Sequence, residues 1–229
     1  MSVTTRPAGA STSAVRRRPP ELVIALIGAM GFATAAVIGA IIQPSSYRWT
    51  RDTISVLAAQ DAVLGELMVA GFLVLAVGLA ALAAGLWRCR PTVSARIAAT
   101  LVGTSAAATV VAGLARIRCN PAQDGCLESL LTDPSRASEI HFRVAILVFA
   151  PLILSGLALA WSQWRLGLRR LATVLGASAG LSLALIVLTE DAGTGIGGLL
   201  QRMFLITALL PGMLTLAFGA ARTRVAVSR

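Results

Sequence analysis

Long apolar runs alternate with short polar stretches along the whole chain. The runs cover about Leu22–Ile42, Val63–Trp87, Ile97–Ala115, Phe142–Trp161, Leu171–Leu188 and Leu199–Ala220. At 1.5 Å per residue, about 20 apolar residues in a helix cross the ~30 Å hydrocarbon layer of a bilayer. Each run therefore predicts one membrane-spanning helix. Gln43-Pro44 closes the first, Arg88-Cys89-Arg90-Pro91 closes the second, and Arg165 to Arg170 turn the fourth into the fifth. The first run is too long for the apolar core of a signal peptide and lacks a small-residue cleavage site, so it reads as a span. The expected fold is all-α, a polytopic membrane protein built as a six-transmembrane-helix bundle. Residues 21–221 form that domain, between a disordered, basic N-terminal tail (1–20) and a basic C-terminal tail (222–229).

Between the first two runs lies a polar, charged stretch, Tyr47-Arg48-Trp49-Thr50-Arg51-Asp52-Thr53-Ile54-Ser55-Val56-Leu57. The rest of the bundle reads as a frame holding it at one membrane face. Composition supports the frame: of 229 residues 56% are hydrophobic and 13% charged, with mean hydropathy +0.80. A soluble domain carries about 25% charged residues. Net charge is +10, but the basic residues sit in small clusters beside apolar runs. No basic stripe or aromatic stacking platform accompanies them, which argues against a nucleic-acid partner. Basic residues that are all Arg, with abundant Ala, point to a GC-rich bacterial source.

Arginine placement predicts orientation, because cytoplasmic loops are enriched in basic residues. Thirteen of the 20 (Arg6, Arg16, Arg17, Arg18, Arg88, Arg90, Arg96, Arg165, Arg169, Arg170, Arg222, Arg224 and Arg229) fall on the side that holds both termini. Nine of the ten acidic residues fall on the other side, Glu21 being the exception. Both termini are thus expected in the cytoplasm of a bacterial inner membrane, with loops one, three and five outside. Cys119 and Cys126 share the third loop, where an oxidising space permits a disulfide, while Cys89 lies inside. Two cysteines and a distant His141 do not make a zinc site, and no cofactor is expected.

Several polar residues gather on the outer face. Asp52 opens a run with helical character and fits an N-cap. Read functionally, Asp52 and Ser55 stand at i, i+3 on one helix face. His141, the single histidine, opens the fourth span. Ser55 as nucleophile, His141 as base and Asp52 as orienting acid would form a hydrolytic set, although no Gly-x-Ser-x-Gly elbow surrounds Ser55. Arg202, just inside the sixth span, needs a partner at that depth. It is expected to snorkel to the interface or pair with an acid such as Asp52, Glu66 or Glu190, or to form an anion or lipid-phosphate clamp with Arg51 and Arg143. Gly193-Thr194-Gly195-Ile196-Gly197-Gly198 matches Gly-x-Gly-x-x-Gly but lacks the βαβ setting of a dinucleotide site. Small residues such as Gly31-x-x-x-Ala35, Gly71, Gly78, Gly85, Gly176-x-x-x-Gly180 and Gly212 allow close helix packing.

Tyr47 with Asp52-Thr53-Ile54-Ser55-x-Leu57 after the first span, His141 opening the fourth, and Gly198-Leu199-x-Gln201-Arg202 opening the sixth resemble a bacterial family of membrane proteins, domain-of-unknown-function family nine-nine-eight. The resemblance covers roughly residues 22–220. It implies a multi-helix integral membrane protein with no assigned activity and no substrate. Two function classes follow from the residues. One is binding or handling of a lipid or membrane-protein partner at an outer-mouth site of Asp52, Ser55, His141, Arg143 and Arg202. The other is a membrane-embedded serine-type hydrolase or transferase acting on lipid headgroups. A small-solute transporter fits less well, because the spans hold few polar residues at mid-depth.

Overall fold

The computed structural model describes residues 19–89, 92–120, 125–189 and 195–227. Its helices are α1 (Pro20–Ile42), α2 (Gly65–Cys89), α3 (Val93–Leu114), α4 (Cys126–Thr132), α5 (Arg136–Arg165), α6 (Arg169–Thr189) and α7 (Gly197–Val227), with a 3-10 segment at Ile54–Ala58. All but α4 are long and apolar enough to cross a bilayer. The chain is an all-α, six-span membrane protein, as the run lengths predict. The helices overshoot several expected boundaries. α5 begins six residues before Phe142, and α7 continues through Val227, into the stretch expected as a C-terminal tail. Polar and charged residues cost little in a helix end that emerges into the headgroups. The expected N-terminal tail falls in residues 1–18, outside the described residues.

Consecutive spans pack side by side, and α7 closes the bundle by lying against α6, α5, α2 and α1. Apolar side chains face both ways. Phe204, Leu57, Leu79, Leu86, Leu159 and Leu216 are buried inside. Ile27, Met30, Val37 and Ile41 on α1 point outward at 58–76% exposure, a continuous apolar surface suited to lipid and not to water.

Lipid cannot drive helices together by hydrophobic force, so close approach and buried hydrogen bonds hold the bundle. α1 and α2 meet at Gly28 and Gly78, where a Cβ on Gly28 would stand 2.7 Å from the Gly78 Cα. By contrast a Cβ on Gly180 would meet nothing within 4 Å, so that glycine is not one of the packing positions expected of it. Ser105 Oγ donates to the Val148 carbonyl at 2.8 Å, joining α3 to α5. Ser178 Oγ donates to the Thr207 carbonyl at 2.7 Å, joining α6 to α7.

Six crossings sort the connections into two groups. At one end Glu21, opening α1, pairs with Arg88, ending α2, and Thr92 beside α3 bonds Ser162 of α5 at 2.9 Å. At the other end the α1–α2 loop, the α3–α5 connection and the start of α7 touch one another, as described below. Tryptophans mark both ends. Trp87, Trp161 and Trp164 are exposed at the first and Trp49 at the second, the placement of interfacial aromatic belts.

Candidate functional site: a polar cap at one end of the bundle

The α1–α2 loop does not project into solvent. It folds back onto the bundle. Ile54, Val56, Leu57, Ala58 and Ala59 are at most 5% exposed, and the 3-10 segment packs against α1, α2 and α7. A nearly unbroken run of buried apolar residues makes the segment a wedge. The polar residues before it are left at the mouth.

The start of α7 receives this loop. A helix leaves its first amides without intrahelical acceptors, and here loop carbonyls supply them. Gly198 N donates to Arg51 O at 3.0 Å, and Leu199 N donates to Thr50 O at 2.8 Å. Ile54 N donates to Gln201 Oε1 at 2.7 Å. The approach is so close that a Cβ on Gly198 would overlap the Asp52 carbonyl. This explains a glycine at that position.

Arg202 completes the latch. Its Nη1 donates to the carbonyls of Trp49 (2.7 Å), Asp52 (3.1 Å) and Gly198 (2.7 Å), and its Nη2 donates to Tyr47 Oη at 2.7 Å. Pairing with the Asp52 or Glu66 carboxylate was one expectation, and that one is corrected. The guanidinium fork meets three carbonyls and a phenol, and it reaches Asp52 through its backbone. Burial pushes the Tyr47 hydroxyl above its ordinary pKa, against the opposing pull of Arg202. Tyr47 therefore stays neutral and can accept this bond.

Asp52 is 2% exposed, and its charge is satisfied locally. Arg51 Nε donates to Oδ1 at 2.7 Å, and Arg48 N donates to Oδ2 at 2.8 Å. Burial pushes the carboxyl up. The Arg51 guanidinium, the Arg48 amide and the Asn120 side chain outweigh that and hold it below the ordinary carboxylate range. Asp52 is therefore ionised, and it is not an N-cap. Thr53 takes that position, without a side-chain bond to the helix. The local capping pattern lost because Arg51 offered a charged donor one residue away.

A second arginine, which sequence reasoning counted only toward charge, holds the loop from the other side. Arg116 Nε and Nη2 donate to the carbonyls of Ala58 and Ala59, both at 2.8 Å, and Nη1 meets Glu66 at 2.7 Å. Glu66 is thus the partner of Arg116 and not of Arg202. Position at the end of an apolar run was the available signal, and Arg116 shares it with Arg202.

The remaining predicted residues lie on different elements. Ser55 Oγ is bonded to Thr53 Oγ1 at 3.1 Å. His141, 5% exposed, has Nδ1 within 2.9 Å of the carbonyls of Ala112 and Ala115. Both partners are acceptors, so Nδ1 carries the proton and satisfies carbonyls freed at the end of α3. These hydrogen bonds connect His141 with neither Ser55 nor Asp52. Arg143 is exposed and pairs with Glu139 along α5, while Arg51 serves Asp52 and Ser46 O. The three clamp candidates thus have three separate sets of partners. Glu190 and Asp191 lie outside the described residues. Cys119 and Cys126 form a disulfide with Cα atoms 6.1 Å apart. Among the described residues no cluster of three or more His, Cys, Asp or Glu could hold a metal ion.

No curated protein and no solved structure matches the chain. The family model described as "Protein of unknown function (DUF998)" matches residues 26–224, a stretch that includes most of the first span, the other five and every residue of the cap. The chain is therefore a multi-pass integral membrane protein that belongs to the DUF998 family.

Proposed function

We propose that the protein lies in a bacterial inner membrane with both termini in the cytoplasm, and that its outer cap binds the headgroup of an anionic lipid. The arginine asymmetry supports the orientation. One observation carries the binding reading. Arg202 fixes the backbone at Trp49, and Arg48 and Trp49 stand exposed there while Asp52 beside them is buried. An exposed Arg-Trp pair on an immobile backbone suits the headgroup region. The indole rests among acyl ends and the guanidinium meets phosphate bidentately. Asp52, Arg202 and Tyr47 then act by positioning, with the half-exposed Ser55 hydroxyl beside them.

A hydrolase would bring Ser55 and His141 together, and their hydrogen bonds instead hold them to Thr53 and to α3. A solute path is not favoured either. The gap between α1, α2 and α7 is lined by Ala25, Leu75, Leu79, Leu82, Leu209 and Met213, all apolar.

The test is mass spectrometry of lipid co-purified in mild detergent. Anionic phospholipid enriched over the bulk membrane, and lost in Arg48→Ala and Trp49→Ala, is the expected result. Bulk composition in the wild type would overturn the lipid reading, and a co-purified protein lost in the same variants would replace the lipid with a membrane partner. Labelling of Ser55 by a serine-directed activity probe would revive the hydrolase.

A further inference from the structure

The end of the bundle opposite the cap carries charge that nothing there neutralises. Arg88, Arg96, Arg165, Arg169 and Arg170 are exposed at that end. Its acid, Glu21, is held by Arg88. The other four arginines meet no carboxylate among the described residues. Two of the four are seated on tryptophans. Arg96 Cζ lies 5.8 Å from the centre of the Trp87 ring, and Arg169 Cζ lies 5.6 Å from that of Trp164. Both indoles are about half exposed, at 53% and 51%. A guanidinium stacked on an indole face keeps its N–H edge free to donate. Indoles settle at the headgroup level of a bilayer, so the stacked arginines stand at the level of the phosphates. The frame beneath the two pairs is tied together. Thr92, before α3, bonds Ser162, near the end of α5, at 2.9 Å. Arg96 is one turn beyond Thr92, its N–H donating to the Thr92 carbonyl at 3.1 Å, and Trp164 is two residues beyond Ser162. The α5–α6 turn is closed by Leu166 N on Ser162 O, Gly167 N on Trp164 O and Leu168 N on Gln163 O. That turn sets Arg165, Arg169 and Arg170 at a fixed spacing. Ile97, Trp161 and Val174, next to them along the helices, are exposed and apolar.

We infer that this Arg–Trp face is a second lipid site, occupied by anionic phospholipid of the leaflet at that end. Charge complementarity selects the occupant. The free guanidinium edges over Trp87 and Trp164 donate paired N–H bonds to a phosphate, and the unpaired Arg165 and Arg170 add to the attraction. A zwitterionic headgroup brings its own cation to arginines that already lack an acid. A soluble acidic partner would match the charge and leave the indoles and Ile97 without a fitting surface, whereas the glycerol and acyl chains of a phospholipid cover both. The site shares no residue with the outer cap, and it holds whichever side of the membrane that end faces.

Brominated lipid quenches tryptophan on contact, so each indole reports its own neighbours. Full-length proteins that retain Trp87 or Trp164 alone, with the other tryptophans changed to Phe, are placed in vesicles of phosphatidylcholine with a minor share of phosphatidylglycerol. Bromine is carried at equal mole fraction by one lipid or the other, and unbrominated vesicles give each variant its reference. Trp49 is absent from both proteins, so failure here and failure of the outer site are read separately. One arginine at an anionic surface gives roughly a fivefold preference. Phosphatidylglycerol should therefore stand about fivefold above its bulk share at each indole. Arg96→Ala should return Trp87 to the bulk share, and Arg169→Ala should do the same for Trp164. Arg96→Lys and Arg169→Lys should keep part of the preference, because the ammonium keeps the charge without the planar fork. Bulk share at both indoles in the parent proteins would overturn the site. So would enrichment that survives both alanine changes, since it would not come from the stacked pairs.

Discussion

Arg202→Ala tests the latch between the α1–α2 loop and α7. The substitution removes three hydrogen bonds that cross to the loop, at Trp49 O, Asp52 O and Tyr47 Oη. The bond to Gly198 O lies within α7 and is not counted. A hydrogen bond from a charged donor nets about 1.5–3 kcal/mol when buried. Arg202 is only half-buried, so water replaces part of the loss, and about 2–4 kcal/mol for the three together is the reasonable total. At 1.4 kcal/mol per tenfold this raises the open population of the loop about 30- to 700-fold. Hydrogen exchange with mass spectrometry on residues 47–57, in nanodiscs, measures it directly. Ile54 N, bonded to Gln201, should lose protection by that factor, while amides in the middle of α2 and α5 should not change. Arg202→Lys should fall between, because an ammonium keeps the charge without the planar fork. Unchanged exchange across 47–57 in Arg202→Ala would refute the latch.

Gly198→Ala should loosen the same segment by about 1–3 kcal/mol, since the new methyl meets backbone at Asp52 that cannot rotate away; the same exchange experiment reads it. Arg116→Ala should lower thermal stability by about 1–3 kcal/mol through the orphaned Ala58 and Ala59 carbonyls. Glu66→Gln should leave the melting temperature unchanged, because that pair is exposed on the Glu66 side. The folded Asp52 pKa is depressed below 3.8, so unfolding the cap takes up a proton at low pH. Its contribution is complete at neutral pH and is lost as pH falls through the folded value. Protection of the 47–57 amides, corrected for intrinsic rates, should be flat from about pH 7 to 5 and fall below about pH 4, a step that Asp52→Asn removes. Gln163 is fully buried with both amide atoms unpartnered. Gln163→Met should therefore raise the melting temperature, with a gain of about 1–2 kcal/mol.

The spans were legible because bilayer thickness fixes a run length that composition alone reveals. Helix ends were less so. Arg136 to Glu139 read as loop from their charge, yet Ser135 caps them into α5 with its hydroxyl on Ser138 N. α4 went unread because seven residues give no periodicity and its start depends on Gly125 at positive φ. Within the cap, the Tyr47–Leu57 stretch and Arg202, both singled out in the sequence, are brought into contact, since a charge at the edge of hydrocarbon demands partners. The sequence did not identify those partners. Arg202 and Arg116 carry the same local signal, and only the packing of α7 and α3 against the loop decides which carbonyls each one meets. Asp52 was misassigned as a helix cap because capping is read locally, and the competing donor, Arg51, was equally local but charged.

The central claim is that the α1–α2 loop, the disulfide segment and the start of α7 form one cap on the outside of the cell. Single cysteines in a Cys89→Ser background, labelled in intact cells with a membrane-impermeant maleimide, test it most directly. Ser46→Cys, on the exposed part of the loop, should label fully, and Leu166→Cys, in the exposed α5–α6 turn, should label only after the cells are broken. The opposite pattern, or equal labelling of both positions in intact cells, would contradict the account.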